Sequence, residues 1–226
     1  MTFEAYKKQK EQSTEWKRYQ TLMTERPALF APCELLSIET SLDVICDYEL
    51  NTPDRVIGAV YESPYSILIV DLVRDREGNR YCYERILPAQ PNGAVITVPV
   101  YEGKFVLLRQ FRHAIRKEQL CFPRGFGEAG ITAAGNAGKE LMEEIGAAVL
   151  SAKRLGAVSG DSGLSSGMAE VYACVVTMPQ KPQTKEGIHE ILLVSKEELD
   201  QMIQNEKITD ALTLSAYTLY AAKKGN

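Results

Sequence analysis

Apolar positions along the chain follow two different rhythms. Between residues 3 and 25, Phe3, Tyr6, Trp16, Tyr19 and Met23 recur at roughly helical spacing in a polar background, until Arg26-Pro27 stops the pattern. This predicts a helical arm within residues 1–40. From Ser41 to Gln90 the runs become short and extended: "SLDVICDYEL", "RVIGAVYE", "YSILIVDLVRD" and "RYCYERIL" read as strands, and "DREGNR" supplies hairpin-turn chemistry between the last two. Residues 41–90 are therefore expected to form an antiparallel β appendage, and "AQPNG" a linker. Beyond it, "AVITVPVYEGKFVLLRQFRH" predicts two strands joined at "YEGK". "LCFPRGFGEAG" predicts a loop, and residues 132–145 a helix that Gly146 closes. Strands around "RLGAVSG", "MAEVYACVVTM" and "GIHEILLVS" follow, then one C-terminal helix from about Lys196 to Ala222. Strands outnumber helices and helices sit between or after them, so the expected class is α/β (α+β), with residues 91–226 as the principal domain.

Composition narrows the function. A chain of 226 residues, 45% hydrophobic and 25% charged, is ordinary globular material able to bury a full core. The net charge of -4 and the lack of any basic run exclude a nucleic-acid-binding footprint and favour a small-molecule partner. Five scattered cysteines, never spaced C-x-x-C, argue against a disulfide framework or a zinc site and suit a reducing cytoplasm. The first residues lack the apolar core of a signal peptide, and the longest apolar runs are strand length. A protein that is neither secreted nor embedded in a membrane is expected. The two histidines, His113 and His189, lie far apart in sequence and support no histidine metal site.

The chemistry concentrates in "GKELMEEIGA", residues 138–147. At 100° per residue, Glu144 lies about 40° to one side of Glu140 and Glu143 about 60° to the other, so three carboxylates share an arc of about 100°. Ala134, Leu141, Ile145 and Ala148 form the neighbouring stripe, the expected core side. Like charges at these spacings weaken a helix, and Gly135 and Gly138 weaken it further, so local stability did not choose these residues. A hard divalent cation reverses the sign of the problem, because it binds carboxylate oxygens and leaves positions open for water and phosphate.

With Gly125 fifteen residues before Glu140, in a glycine-rich loop entering the same helix, the chain resembles the Nudix hydrolases. Their signature is G-x5-E-x7-R-E-U-x-E-E-x-G-U, with U aliphatic. The matching stretch is "GFGEAGITAAGNAGKELMEEIGA", from Gly125 to Ala147. Two positions depart from it: Ile131 stands at the first glutamate and Lys139 at the arginine, and Glu128, three positions before Ile131, is the acid available to compensate. "GKFVLLRQFRH" followed by "FPRG" resembles the ADP-ribose pyrophosphatase branch, with departures at Arg124 and Cys121.

The resemblance implies a Nudix α/β/α sandwich with a mixed sheet, preceded by the β appendage and helical arm, and a homodimer that exchanges its N-terminal strands. It implies Mg²⁺ as cofactor, with Mn²⁺ as a substitute. Glu140 and Glu144 are the expected principal ligands, Glu143 a further ligand or water-orienting base, and the carbonyl of Arg124 a backbone ligand. Arg112 is expected on the substrate diphosphate, and Gly125 and Arg124 beside the substrate. A downstream base is expected from "QTKEGIHE", which offers Glu186 and Glu190, with Glu170 a weaker candidate. The loop "SGDSGLSSG" resembles the branch's substrate-flanking loop. The implied reaction is hydrolysis of ADP-ribose or a related nucleoside diphosphate sugar. Two alternatives stay open: another nucleotide or coenzyme pyrophosphate, or a nucleotide-sugar-binding module with weakened catalysis.

Overall fold

The computed structural model describes residues 1–52, 54–90, 93–128, 130–180 and 186–224. Two compact units emerge: residues 1–89 with 161–167, and residues 90–160 with 168–226.

The first unit begins with two helices, α1 (Phe3–Gln12) and α2 (Thr14–Glu25), where the apolar spacing suggested one arm. Ser13 divides them. Its backbone is extended and its side chain accepts the Trp16 N–H, so the serine caps a new helix rather than continuing the old one. A 3-10 turn (Pro27–Phe30) and a short strand β1 (Leu36–Ile38) follow. Residues 42–51, expected as a strand, form helix α3 (Leu42–Asn51). Its buried positions Ile45, Cys46 and Glu49 repeat at three and four, and over so short a run that spacing competes evenly with a strand reading. The deciding contact is distant in sequence: Glu49 is buried and accepts from Lys10 Nζ (2.6 Å), Tyr6 Oη (3.1 Å) and the Ile57 amide (2.6 Å). Strands β2 (Gly58–Glu62), β3 (Ser66–Asp75) and β4 (Arg80–Pro88) complete an antiparallel sheet. Strand β3 pairs with β4 along its whole length and with both β1 and β2. Trp16, Tyr19 and Leu22 of α2 pack with Ile45, Ile57, Ile67, Ile69, Leu72 and Leu87 in one core, so the helices are part of this unit rather than a free arm. The Asp71 carboxylate, also buried, accepts from Tyr19 Oη and from Arg85 (Nε 2.5 Å). Segment 161–167 joins this unit through β4: the Ile86 amide donates to the Leu164 carbonyl and the Ser166 amide to the Ile86 carbonyl.

The second unit holds a mixed seven-stranded sheet. It comprises β5 (Ala94–Tyr101), β6 (Lys104–Arg112), β7 (Lys117–Cys121), β8 (Arg124–Phe126), β9 (Val149–Ser159), β10 (Met168–Val176) and β11 (Ile188–Val194). The path runs β11-β6-β5-β10-β9, with β7 on β6 and β8 on β5; β5 and β10 are parallel and the other pairs antiparallel. The "YEGK" turn has positive φ at both Glu102 (46°) and Gly103 (80°), the backbone that matches strand twist in a two-residue hairpin. Successive residues enter opposite cores: Val95, Val106, Leu108 and Tyr172 face helix α4 (Ala133–Ile145). Ile96, Phe105, Leu107 and Val171 face α5 (Lys196–Gln204) and α6 (Ala211–Lys224). The result is a helix–sheet–helix sandwich. The expected single C-terminal helix is two, separated at residues 205–210, where Glu206 takes φ 56°. No helix among the described residues is long and apolar enough to cross a membrane.

Candidate active site

The segment expected as one loop contains two strand ends. Strand β7 finishes at Cys121, β8 runs from Arg124 to Phe126, and β8 pairs with β5 through Ile96↔Arg124, Val95↔Gly125 and Ala94↔Phe126. Ala129 of this segment lies outside the described residues, as do Pro91 and Asn92 of the linker and residues 183–185 of "QTKEGIHE". Helix α4 starts at Thr132, whose Oγ1 accepts the Gly135 amide, and ends at Gly146 in the left-handed conformation (φ 64°).

The acids sit deeper than the helical wheel suggested. The buried face of α4 consists of Asn136, Ala137, Leu141, Glu144 and Ile145; Ala134 and Ala148 are exposed, the latter because the chain has already turned at Gly146. Glu144 therefore lies within the buried face, Glu140 at its border and Glu143 on the outside. Strand β8 receives both inner carboxylates. The Arg124 amide donates to Glu144 Oε2 at 3.1 Å. The Glu140 carboxyl lies so close over Gly125 that a Cβ on that residue would stand 1.9 Å from its Cδ. Gly125 is thus required by a close approach within the protein. Asn136 fixes the next residue, its Nδ2 donating to the Phe126 carbonyl at 2.7 Å.

Electrostatics confirm the crowding. Burial, then the charges of Glu143 and Glu186, push the Glu140 carboxyl up to about 7. Burial and the charge of Glu140 push Glu144 up to about 8, against the Arg124 amide and the Arg112 guanidinium, which favour its anion. Glu186 is therefore part of this acid cluster. Glu190 is not tied to it in the same way: its carboxylate pairs with Arg109 Nε at 2.5 Å. Glu170 pairs with Arg154 and accepts from Tyr172 Oη at 2.8 Å. Lys139, at the position of the signature's arginine, pairs with Glu128 and lies 3.6 Å from Glu143, so Glu128 supplies the carboxylate partner that Ile131 cannot.

The two arginines differ from each other. Arg112 Nη2 donates to Cys121 Sγ at 3.3 Å, while its Nε is buried without a hydrogen-bond partner among the described residues, a costly state that an anionic ligand would relieve. The Arg124 side chain was expected beside the substrate. It instead donates through Nη1 to both oxygens of Asp210, at 2.9 and 3.0 Å, because alternation along β8 sends it away from the face that Gly125 offers to Glu140. Only its backbone meets the acids. Asp210, Thr213 and Asn136 were not singled out from the sequence, and the only signal for Asp210 was its place as an Asp just before a helical run.

Among the described residues, no three His, Cys, Asp or Glu side chains are grouped so as to hold a metal ion. The donor set nevertheless fits a hard divalent cation, which commonly takes one or two carboxylates and fills its remaining positions with water and substrate oxygens. Glu140 and Glu144 are two such carboxylates, adjacent and repelling, and neither pairs with a lysine or arginine among the described residues.

Comparison with known proteins places these parts. A family model of the NUDIX domain matches residues 91–213. The crystal structure of an ADP compounds hydrolase resembles this one with a TM-score of 0.65 at 20% sequence identity, covering 75% of this chain and 92% of that one. That is a likeness of fold. No curated protein matches the chain. The family match spans over half the sequence and takes in β5, β8, the glycine at its centre and the whole of α4, so the chain belongs to the Nudix family of hydrolases.

Proposed function

We propose that the protein hydrolyses the pyrophosphate bond of ADP-ribose or a related nucleoside diphosphate sugar, with Mg²⁺ held by Glu140, Glu144 and the Arg124 carbonyl. The observation that carries the reading is the pair of crowded, mutually repelling carboxylates that α4 turns onto β8, whose charge state a bound cation would stabilise. The nucleoside diphosphate part draws support from the "QFR" strand end, Gln110–Arg112, and from the ADP compounds hydrolase of the same fold.

Bound there, the cation would supply Lewis-acid neutralisation of the diphosphate and a more acidic water. The chain's own groups do the rest. Arg112 meets the diphosphate with the guanidinium face whose Nε lacks a partner, a geometry suited to paired phosphate oxygens. Glu143 and Glu186, the exposed members of the acid cluster, are the groups that would take the proton from the attacking water. Water adds to one phosphorus, the bridging P–O bond breaks, and AMP and ribose 5-phosphate leave. Glu190, held by Arg109, serves the fold of the β6–β11 pair rather than the chemistry.

A homodimer built through the amino-terminal region belongs to this reading, supported by the apolar side chains which that region exposes at Leu35, Val56, Tyr61 and Tyr81. In place of a separate helical segment at 1–40 and a β region at 41–90, residues 1–89 with 161–167 would act together as the dimerising unit, beside a catalytic domain that falls within residues 91–226. All five cysteines are free, which suits the cytoplasm. A second reading, another nucleotide or coenzyme pyrophosphate as substrate, is favoured by Arg124 being committed to Asp210.

The test is product analysis with ADP-ribose and a panel of nucleotide sugars and dinucleotides in millimolar Mg²⁺, beside Glu144→Gln. AMP and ribose 5-phosphate from wild type and none from the variant are the expected result. Preferential cleavage of another pyrophosphate moves the substrate, and binding without turnover of any compound refutes the hydrolase.

A further inference from the structure

Residues 122 and 123 lead from β7 to Arg124, the first residue of β8, and each of the three is gripped separately. The Phe122 amide donates to Thr213 Oγ1 at 3.0 Å. The Pro123 carbonyl accepts from both the amide and the hydroxyl of Thr97, each at 3.0 Å. The Arg124 guanidinium donates to Asp210, and its amide donates to Glu144. Two of these grips come from the first turn of α6. Asp210 precedes that helix, and its Oδ2 accepts the Thr213 amide (3.0 Å) and hydroxyl (2.7 Å). Thr97, Thr213 and Asp210 are all buried.

This arrangement spends more than a helix cap needs. An N-cap aspartate requires one oxygen for the backbone. Here Oδ1 as well as Oδ2 is turned to Arg124, a residue whose backbone lies one hydrogen bond from Glu144 and one residue from the glycine under Glu140. Charge-assisted bonds of this kind are short and directional, so they fix position as well as add stability.

We propose that Asp210 is a positioning residue for the catalytic acids. Acting through the Arg124 guanidinium, it holds the β8 backbone where its amide can bind Glu144 and where Gly125 can receive Glu140, and so sets how tightly that pair holds a divalent cation. The inference rests on the functional reading above, in that it takes Glu140 and Glu144 as the cation's ligands.

The test uses Asp210→Asn, which keeps a capping oxygen for the Thr213 amide but loses the anion facing Arg124, together with Arg124→Met and the double variant. Mn²⁺ affinity of the metal-stripped proteins is measured by titration calorimetry, alongside kcat, KM and Tm. Each single variant is expected to weaken Mn²⁺ binding and lower kcat by about tenfold, the scale seen when a residue supporting a metal ligand is removed, with KM changed less than about twofold. The double variant should be no worse than either single one, since both remove the same link. Unchanged Mn²⁺ affinity and kcat with a lowered Tm would make Asp210 a helix cap and nothing more, and effects that multiply in the double variant would equally overturn the proposal. Should wild type bind Mn²⁺ but cleave no substrate, the hydrolase reading fails while the Mn²⁺ affinities still decide the role of Asp210. Wild type that binds no Mn²⁺ overturns both. If Asp210→Asn does not fold, Arg124→Met decides alone.

Discussion

Replacing Gly125 with alanine separates the architecture of the site from its chemistry. The new Cβ would lie 1.9 Å from Glu140 Cδ and 2.0 and 2.2 Å from the two carboxylate oxygens, whereas ordinary contact begins near 3.4 Å. The carboxylate must therefore withdraw by about 1.5 Å. It can do so, because it ends a flexible side chain at the half-exposed border of α4, and Gly125 does not have the positive φ that would strain an alanine. The fold should tolerate the change: loss of unfolded-chain entropy favours alanine by about 0.4–1 kcal/mol and offsets part of the rotamer adjustment. The metal site should not. A displacement of about 1 Å at a reacting centre commonly costs about a hundredfold in rate. Initial rates across a Mg²⁺ titration should show kcat lower by about ten- to a hundredfold and a higher half-saturating Mg²⁺ concentration, with Tm shifted by only a few degrees. Wild-type rates and metal dependence in Gly125→Ala, when Glu140→Gln is inactive, would refute the claim that the glycine makes room for a ligand.

Three further outcomes are expected. In the chelated protein, Glu140 and Glu144 titrate near 7 and 8, above the ordinary 4.5, so the folded state keeps protons that the unfolded chain releases. Their relative stabilisation is full below pH 4.5 and is lost as pH rises through those values, by a few kcal/mol in order of magnitude. Melting by calorimetry should accordingly be lower at about pH 8.5 than at about pH 6, and Mg²⁺ or Glu144→Gln should flatten the difference; a Tm that rises with pH contradicts it. Lys10→Met leaves Glu49 buried without its cation and should cost about 3–5 kcal/mol in urea denaturation followed by Trp16, the chain's single tryptophan, which is buried in the same unit. A loss under about 1 kcal/mol would mean that water reaches Glu49. Glu186→Gln should lower kcat by at least about tenfold, while Glu190→Gln, which breaks only a half-exposed pair with Arg109, should leave kcat within about twofold. Equal effects would remove the distinction drawn between them.

Local pattern carried a good deal of this structure. The two-residue turn at Glu102-Gly103, the glycine stop at Gly146 and the apolar runs of β5 and β6 on either side of that turn are each decided by neighbours within a few residues, so they could be read directly. Helix α3 could not. Its ten residues suit either period, and the contact that settles them comes from Lys10, far away in sequence. The site divides in the same way. The spacing of Gly125, Glu140 and Glu144 is visible because it lies within one loop and one helix. The partner of Lys139 had to be found by geometry, since Glu128 reaches it from a position the signature does not use. The direction of Arg124 depended on the single residue of alternation that sends its side chain toward Asp210, and a reading that carried one helix through residues 205–210 hid the acid waiting there.

The return of segment 161–167 to the first unit bears on the order in which the chain matures. Residues 1–89 are made before residues 161–167 and hold nearly all of their apolar core, yet β4 lacks the partners of the Ile86 amide and carbonyl until Leu164 and Ser166 have been made. The sheet of the first unit is thus finished only after helix α4 has been synthesised. A nascent chain halted between those points would present an open strand edge, the kind of surface that chaperones and neighbouring copies of a sheet protein engage.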